Sequence, residues 1–195
     1  PQFFPPLKFF FKLINSDVWF ILDHLRFKTR STQCRCRIKT DSGVQQLSIA
    51  VKRPCNKPFY RTIINNMVPW RHDFLRMIKH NYSETKFFNR YFEDLKYYVE
   101  SPNVLLETFD VNTIKWVLRL LNVHPQLVFS QNYYKTYPRK KIVSHILHKL
   151  DAEVFDEQFK HPYYESLSGS FEENLSVLDA LFCVGAKETR RLLKP

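Results

Sequence analysis

The stretch from Val18 to Lys39, VWFILDHLRFKTRSTQCRCRIK, constrains the chain most, because in it a buried-strand pattern runs directly into charged chemistry. Val18 to Leu22 is an uninterrupted apolar run of strand length, which suits the interior of a parallel sheet covered by helices. It ends on Asp23 and His24. Arg26, Lys28, Arg30, Arg35, Arg37 and Lys39 then follow before the next acidic residue, Asp41. A carboxylate that ends a buried strand has to find hydrogen-bond donors, and Arg30 or Arg35 is expected to supply them.

From Cys34 the pattern becomes strict alternation, which puts Cys34, Cys36 and Ile38 on one face of a strand and Arg35, Arg37 and Lys39 on the other. Asp41-Ser42-Gly43 reads as a turn, and Leu47, Ile49 and Val51 alternate inward again, so the segment is expected to be an antiparallel β-hairpin. Two readings of its cations stand open at this point. Arg30, Arg35 and Arg37 are forks that fit phosphate oxygens, or Arg35, Arg37 and Lys39 are simply the hydrated face of the hairpin. The four Cys residues, at 34, 36, 55 and 183, lack zinc-ligand spacing and read as free thiols, so no metal and no cofactor is expected.

Elsewhere the period is helical. Pro5 and Pro6 precede Leu7, Phe10, Phe11 and Ile14, a short amphipathic helix. Pro69 opens a helix marked by Trp70, Phe74, Met77 and Ile78, and Ser83 reads as the N-cap of the next. That helix carries a stripe of Phe87, Phe88, Tyr91, Phe92, Leu95, Tyr98 and Val99, read as core packing, and stops at Pro102. A third helix has Val111, Ile114, Val117, Leu118 and Leu121 on one side. Leu127 to Phe129 is a short strand. Lys140 to Leu150 is a helix with His145 and His148 on its polar side, and a last helical region, Val177 to Leu193, is interrupted at Gly185. Ser176, just before that region, and Asp179, in its first turn, have the spacing of a capping box, which is preferred over a nucleophile with its partner.

The expected fold is a single α/β domain over residues 1–195, a Rossmann-like layered sheet with an antiparallel β-hairpin and a largely helical middle section. Ordinary usage of about 7% glycine would give about fourteen residues. The chain has three, and it begins at Pro1. An N-terminal piece and a loop near 152–158 are therefore expected to be missing from it. The formal charge of +11 predicts an anionic partner. No apolar run approaches the length of a membrane span and no signal peptide is visible, so a cytoplasmic location is expected.

Five segments in order resemble the WbqC-like protein family. They are Pro1-Gln2-Phe3-Phe4-Pro5; the strand ending in Asp23 with Arg30-Ser31 and Arg35-x-Arg37-Ile38; Trp70-Arg71-x-x-Phe74-Leu75; His161-Pro162-Tyr163-Tyr164; and the run from Leu175 to Gly185. The family differs in having a His-Gln pair before Pro1, a second acidic residue where His24 stands, and an aromatic and asparagines at Thr32, Cys34 and Cys36. The resemblance implies a bacterial transferase of surface-polysaccharide (O-antigen) or modified-sugar biosynthesis that moves an acyl or aminoacyl group to an amino sugar.

Such an enzyme needs cations for the diphosphate of a nucleotide-linked sugar, or of another phosphorylated small molecule, and a general base. Arg30, Arg35 and Arg37 are the expected phosphate ligands, and Gln2 and Tyr164, in two of the family-like segments, join the substrate-binding set. His24 or His161 is the expected base, with Asp23 orienting it, since ligands bind at strand carboxyl ends in α/β sheets. Against this, His24 reads rather as an exposed turn residue, and His161-Pro162 reads equally as fixing a turn. The alternative function is a non-catalytic nucleotide- or RNA-binding protein.

Overall fold

The structure is a computed structural model that describes residues 1–16, 18–52, 57–129 and 172–194. Within these the fold is mixed α/β, with six α-helices around two small sheets. Helix α1 is Leu7–Ile14, set by Pro6 at its N-cap and by Leu7, Phe10, Phe11 and Leu13, which are buried. Strand β1, Val18–Ile21, pairs in parallel with β4, Gln126–Phe129, in the register Val18 to Gln126 through Ile21 to Phe129. Strands β2, Arg35–Thr40, and β3, Gly43–Ser48, form the expected antiparallel hairpin, Thr40 opposite Gly43. Gly43 takes φ +118, a value L side chains rarely adopt, and so closes the tight turn. The two sheets are separate among the described residues, so the α/β class holds while the layered Rossmann-like sheet is not seen in them.

Helices α2, Trp70–Tyr82, α3, Phe88–Glu100, and α4, Leu106–Leu120, make the helical middle. Each lays its periodic apolar stripe into one core, where Phe3 packs against Trp70, Phe74 and Phe109 with ring centroids 6.3, 5.1 and 6.0 Å away. The α3 stripe is core as expected, with Phe88, Tyr91, Leu95 and Val99 buried. Ser83 does not cap α3. It is the C-cap of α2 in helical conformation, its N–H donating to the Lys79 carbonyl, and α3 begins only after Phe87. Residues 83–87 are too short a span to open a new helix at Ser83 while also turning the chain back on α2.

Lys39 also departs from the alternating pattern. It is 3% exposed and its Nζ lies 3.4 Å from Glu172 Oε1, so the hydrated face of the hairpin ends at Arg37. What covers Lys39 is a long-range packing of β2 against α5, Val177–Cys183, and α2. The Ser176 side chain caps α5 as expected, its Oγ accepting from Leu178 N at 3.3 Å. Asp179, however, does not reach back to Ser176 N, which donates to the Arg37 carbonyl at 2.7 Å. Asp179 is fully buried and accepts from the Tyr82 hydroxyl at 2.8 Å, and that hydroxyl accepts from Lys39 N at 3.0 Å.

Gly185 separates α5 from α6, Gly185–Leu192, where the sequence placed the interruption. Its φ is +81, and a Cβ built on it would lie 2.9 Å from ring carbons of Phe87, which Phe182 holds in place through a backbone hydrogen bond of 3.0 Å. Gly185→Ala should lower stability by about 1–2 kcal/mol from the left-handed backbone alone, with more lost if Phe87 cannot move aside. Urea unfolding measures it, and an unchanged midpoint would mean the α5–α6 junction relaxes freely.

Candidate functional site

Three buried carboxylates come together where β1 ends. Asp23 follows β1 and is 0% exposed, while Glu107 and Asp110 stand in the first turns of α4 at 7% and 0%. The short 3-10 turn Phe59–Arg61 ties the two elements: Tyr60 N donates to the Asp23 carbonyl at 3.0 Å, and Leu106 N donates to the Thr62 carbonyl at 2.9 Å. The N-terminal segment closes the arrangement. Phe3 N donates to the Thr32 carbonyl at 3.0 Å, and Phe3 packs on Phe109.

Burial pushes the Glu107 carboxyl above the ordinary range, and the charge of Asp23 pushes it further. Burial likewise holds Asp110 well above that range, with Glu107 adding to it. Both Asp110 oxygens are buried without a hydrogen-bond partner among the described residues. A carboxyl in that position is costly to ionise and costly to leave unsatisfied. Cys36 lies near enough for Asp110 to add to the burial that raises its thiol, so it is an inert neighbour rather than a nucleophile. Among the described residues no three His, Cys, Asp or Glu side chains group closely enough to hold a metal ion.

The residues singled out in the sequence are only partly drawn together here. Asp23 is in the cluster, His24 follows it half-buried, and Gln2, also half-buried, adjoins Pro1. Arg30 and Arg35 do not supply donors to Asp23: neither makes an ion pair among the described residues, and Arg30 is exposed at φ +64. Arg37 is exposed, and its Nη1 donates to the Glu173 carbonyl at 3.4 Å. Arg35 and Arg37 leave the hairpin on its hydrated side and Arg30 stands in the turn before it, whereas the carboxylates are gathered by the strand end and α4. His161 and Tyr164, like the Lys140–Leu150 helix, lie outside the described residues.

Glu107 and Asp110 escaped the reading of the sequence, although a signal was present. Glu107 stands four residues before Val111 and seven before Ile114, and Asp110 stands four before Ile114 and seven before Val117. Both therefore fall on the apolar side of α4, where a charge needs a reason.

Residues 1–157 match the model of the WbqC-like protein family. The chain is also similar to the uncharacterized protein Rv1507c of Mycobacterium tuberculosis (strain ATCC 25618 / H37Rv), 24% identical over 210 residues that cover 93% of this chain and 90% of the relative. No solved structure matches it. Among the described residues no helix is long and apolar enough to cross a membrane.

Proposed function

The chain belongs to the WbqC-like protein family, and from that premise we propose that it is a cytoplasmic bacterial transferase that moves an acyl or aminoacyl group to the amine of a nucleotide-linked amino sugar, in surface-polysaccharide (O-antigen) or modified-sugar synthesis. The observation that carries the reading is the state of Glu107. Of the three clustered carboxylates it alone keeps some exposure, at 7%, and burial with the charge of Asp23 raises its pKa, the direction that favours taking a proton. Asp23 acts through it as a positioning residue, its charge adding to the burial that holds the basicity of Glu107 up.

In this reading the sugar amine attacks the carbonyl carbon of an activated acyl donor. The new C–N bond forms, the donor's bond to its leaving group breaks with the electron pair departing on that group, and Glu107 takes the proton from the amine. Arg30, Arg35 and Arg37 meet the diphosphate, Gln2 and Tyr164 bind the sugar, and His24 and His161 assist proton transfer. The parallel pair β1–β4 is then the start of a Rossmann-like layered sheet with the ligand at the carboxyl end of β1.

The test is incubation with a panel of nucleotide-linked amino sugars and activated acyl donors, with products followed by mass spectrometry. Glu107→Gln should lower turnover by roughly 10²–10⁴-fold, the usual contribution of a general base, and leave sugar binding in place. Absence of both turnover and binding across the panel would sink the proposal, as would full activity in Glu107→Gln.

A further inference from the structure

A second concavity shares no residue with the carboxylate cluster. Between α2 and α3 runs a groove of about 530 Å³, within the usual size of small-ligand sites. Its walls follow from helical spacing: Arg71, Leu75, Arg76 and Lys79 line it from α2, and Phe92, Lys96 and Glu100 from α3. Four cations thus face one carboxylate.

The floor and the rim differ in chemistry. Leu75 is buried, and Phe92 is half-buried and stacked on Phe88 with centroids 4.5 Å apart, so the floor is apolar and in part aromatic. At one end Arg71 is fixed by neutral acceptors alone, its Nε donating to the Val99 carbonyl at 2.8 Å and its Nη2 to the Asn103 carbonyl at 3.3 Å, with the guanidinium 4.5 Å over the Trp70 ring. Its positive charge is therefore held in place with no carboxylate against it, and burial lowers its pKa, a sign of incomplete solvation. Arg76 has only Asp73, at 3.7 Å on the exposed surface. Lys79 and Lys96 have no carboxylate within ion-pair distance among the described residues.

A solvated helix surface would account for part of this. Lys79 stands in the last turn of α2, where a cation complements the helix dipole. The dipole does not explain Lys96 or Arg76, which lie away from a helix C-terminus, nor why both helices aim cations at one apolar-floored slot. We infer that the α2–α3 groove binds a nucleoside diphosphate, its base on the Phe92 and Leu75 floor and its phosphates on Lys79, Lys96 and Arg76. Lysine and arginine are both phosphate ligands, and an aromatic face accepts any base by stacking.

Calorimetric titration of the whole chain with uridine diphosphate, pyrophosphate, uridine and a short single-stranded RNA tests the site. Uridine diphosphate should bind more tightly than pyrophosphate or uridine. Lys79→Glu and Lys96→Glu should each weaken it by roughly tenfold or more, the scale of losing a charge-assisted hydrogen bond. Lys194→Glu, the same charge change at an exposed residue after α6, should leave it within about twofold. Circular dichroism checks that the variants fold. The assignment is overturned if uridine diphosphate does not bind, if Lys79→Glu and Lys96→Glu leave its binding unchanged, as they would were it held by Arg30, Arg35 and Arg37, or if Lys194→Glu weakens it as much as they do. Binding of the RNA alone, falling steeply with salt, would also overturn it and mark the groove as part of a general polyanion surface.

Discussion

Asp110→Asn should make the protein more stable at neutral and alkaline pH, because an amide has no proton to hold on folding, by up to about 1.4 kcal/mol for each pH unit over which the parent carboxyl stays protonated only in the folded state. The parent side chain is fully buried, neither oxygen receives a hydrogen bond among the described residues, and burial first and Glu107 second hold its pKa well above the ordinary carboxylate value. In the unfolded chain the same carboxyl titrates near about 3.9. Between that pH and the raised folded value, the native state binds a proton that the unfolded state has released. Stability therefore falls as pH rises through this window, by up to about 1.4 kcal/mol per pH unit for one proton. Above the folded value no further loss occurs. Glu107, shifted in the same direction, adds a second contribution of the same sign.

Denaturant unfolding of the parent across mildly acidic to alkaline pH should show this decline, and Asp110→Asn should flatten it. A variant less stable than the parent at every pH would mean that the carboxylate is held by a favourable partner. The expected gain also bears on function. A fold that keeps a carboxyl it would be more stable without is accepting a cost at a site, and sites are where such costs are found.

Tyr82→Phe should lower stability by roughly 2–4 kcal/mol, because one deleted oxygen serves two buried partners. The hydroxyl donates to Asp179 Oδ1 at 2.8 Å and accepts from Lys39 N at 3.0 Å. It thereby joins the end of α2 to α5 and to the hairpin. Burial, with the charge of Asp179 behind it, raises the Tyr82 pKa, so the hydroxyl remains a donor throughout the accessible alkaline range. Phenylalanine fits the same space but leaves a buried carboxylate and a buried N–H each short of a hydrogen bond. At about 2–4 °C per kcal/mol for a chain of this size, the melting temperature should fall by roughly 4–16 °C. Tyr91→Phe, which loses only the bond from Ala186 N at 3.0 Å, is the matched comparison and should cost distinctly less. Equal losses in the two variants would remove Tyr82 from its joining role.

The elements themselves were legible because their causes are local. Pro6, Pro69 and Gly185 mark element boundaries by fixing or freeing φ, and the apolar stripes of α1 to α4 follow helical period. The hairpin could be read from alternation and from one turn. Ser176 could be read as a cap, since a cap needs only its own next residues. Ser83 could not be rejected in the same way, because nothing in its immediate sequence distinguishes the end of one helix from the start of another.

The candidate site divides along the same line. That Asp23 follows a strand was determined by the sequence alone, through the run Val18 to Leu22 that precedes it, of which Ile21 is buried and Val18, Trp19 and Leu22 are half-buried. Its companions were decided only by tertiary structure. Arg30 and Arg35 are near Asp23 in the chain yet do not pair with it: Arg30 stands exposed in a turn at φ +64, and alternation along β2 turns Arg35 away from the hairpin's buried side. Glu107 and Asp110, more than eighty residues on, reach it because the Phe59–Arg61 turn ties β1 to α4 and Phe3 packs against Phe109. Periodicity fixes which way a side chain faces within its own element. Which charge it meets across the core depends on how the elements pack, and no local pattern carries that information.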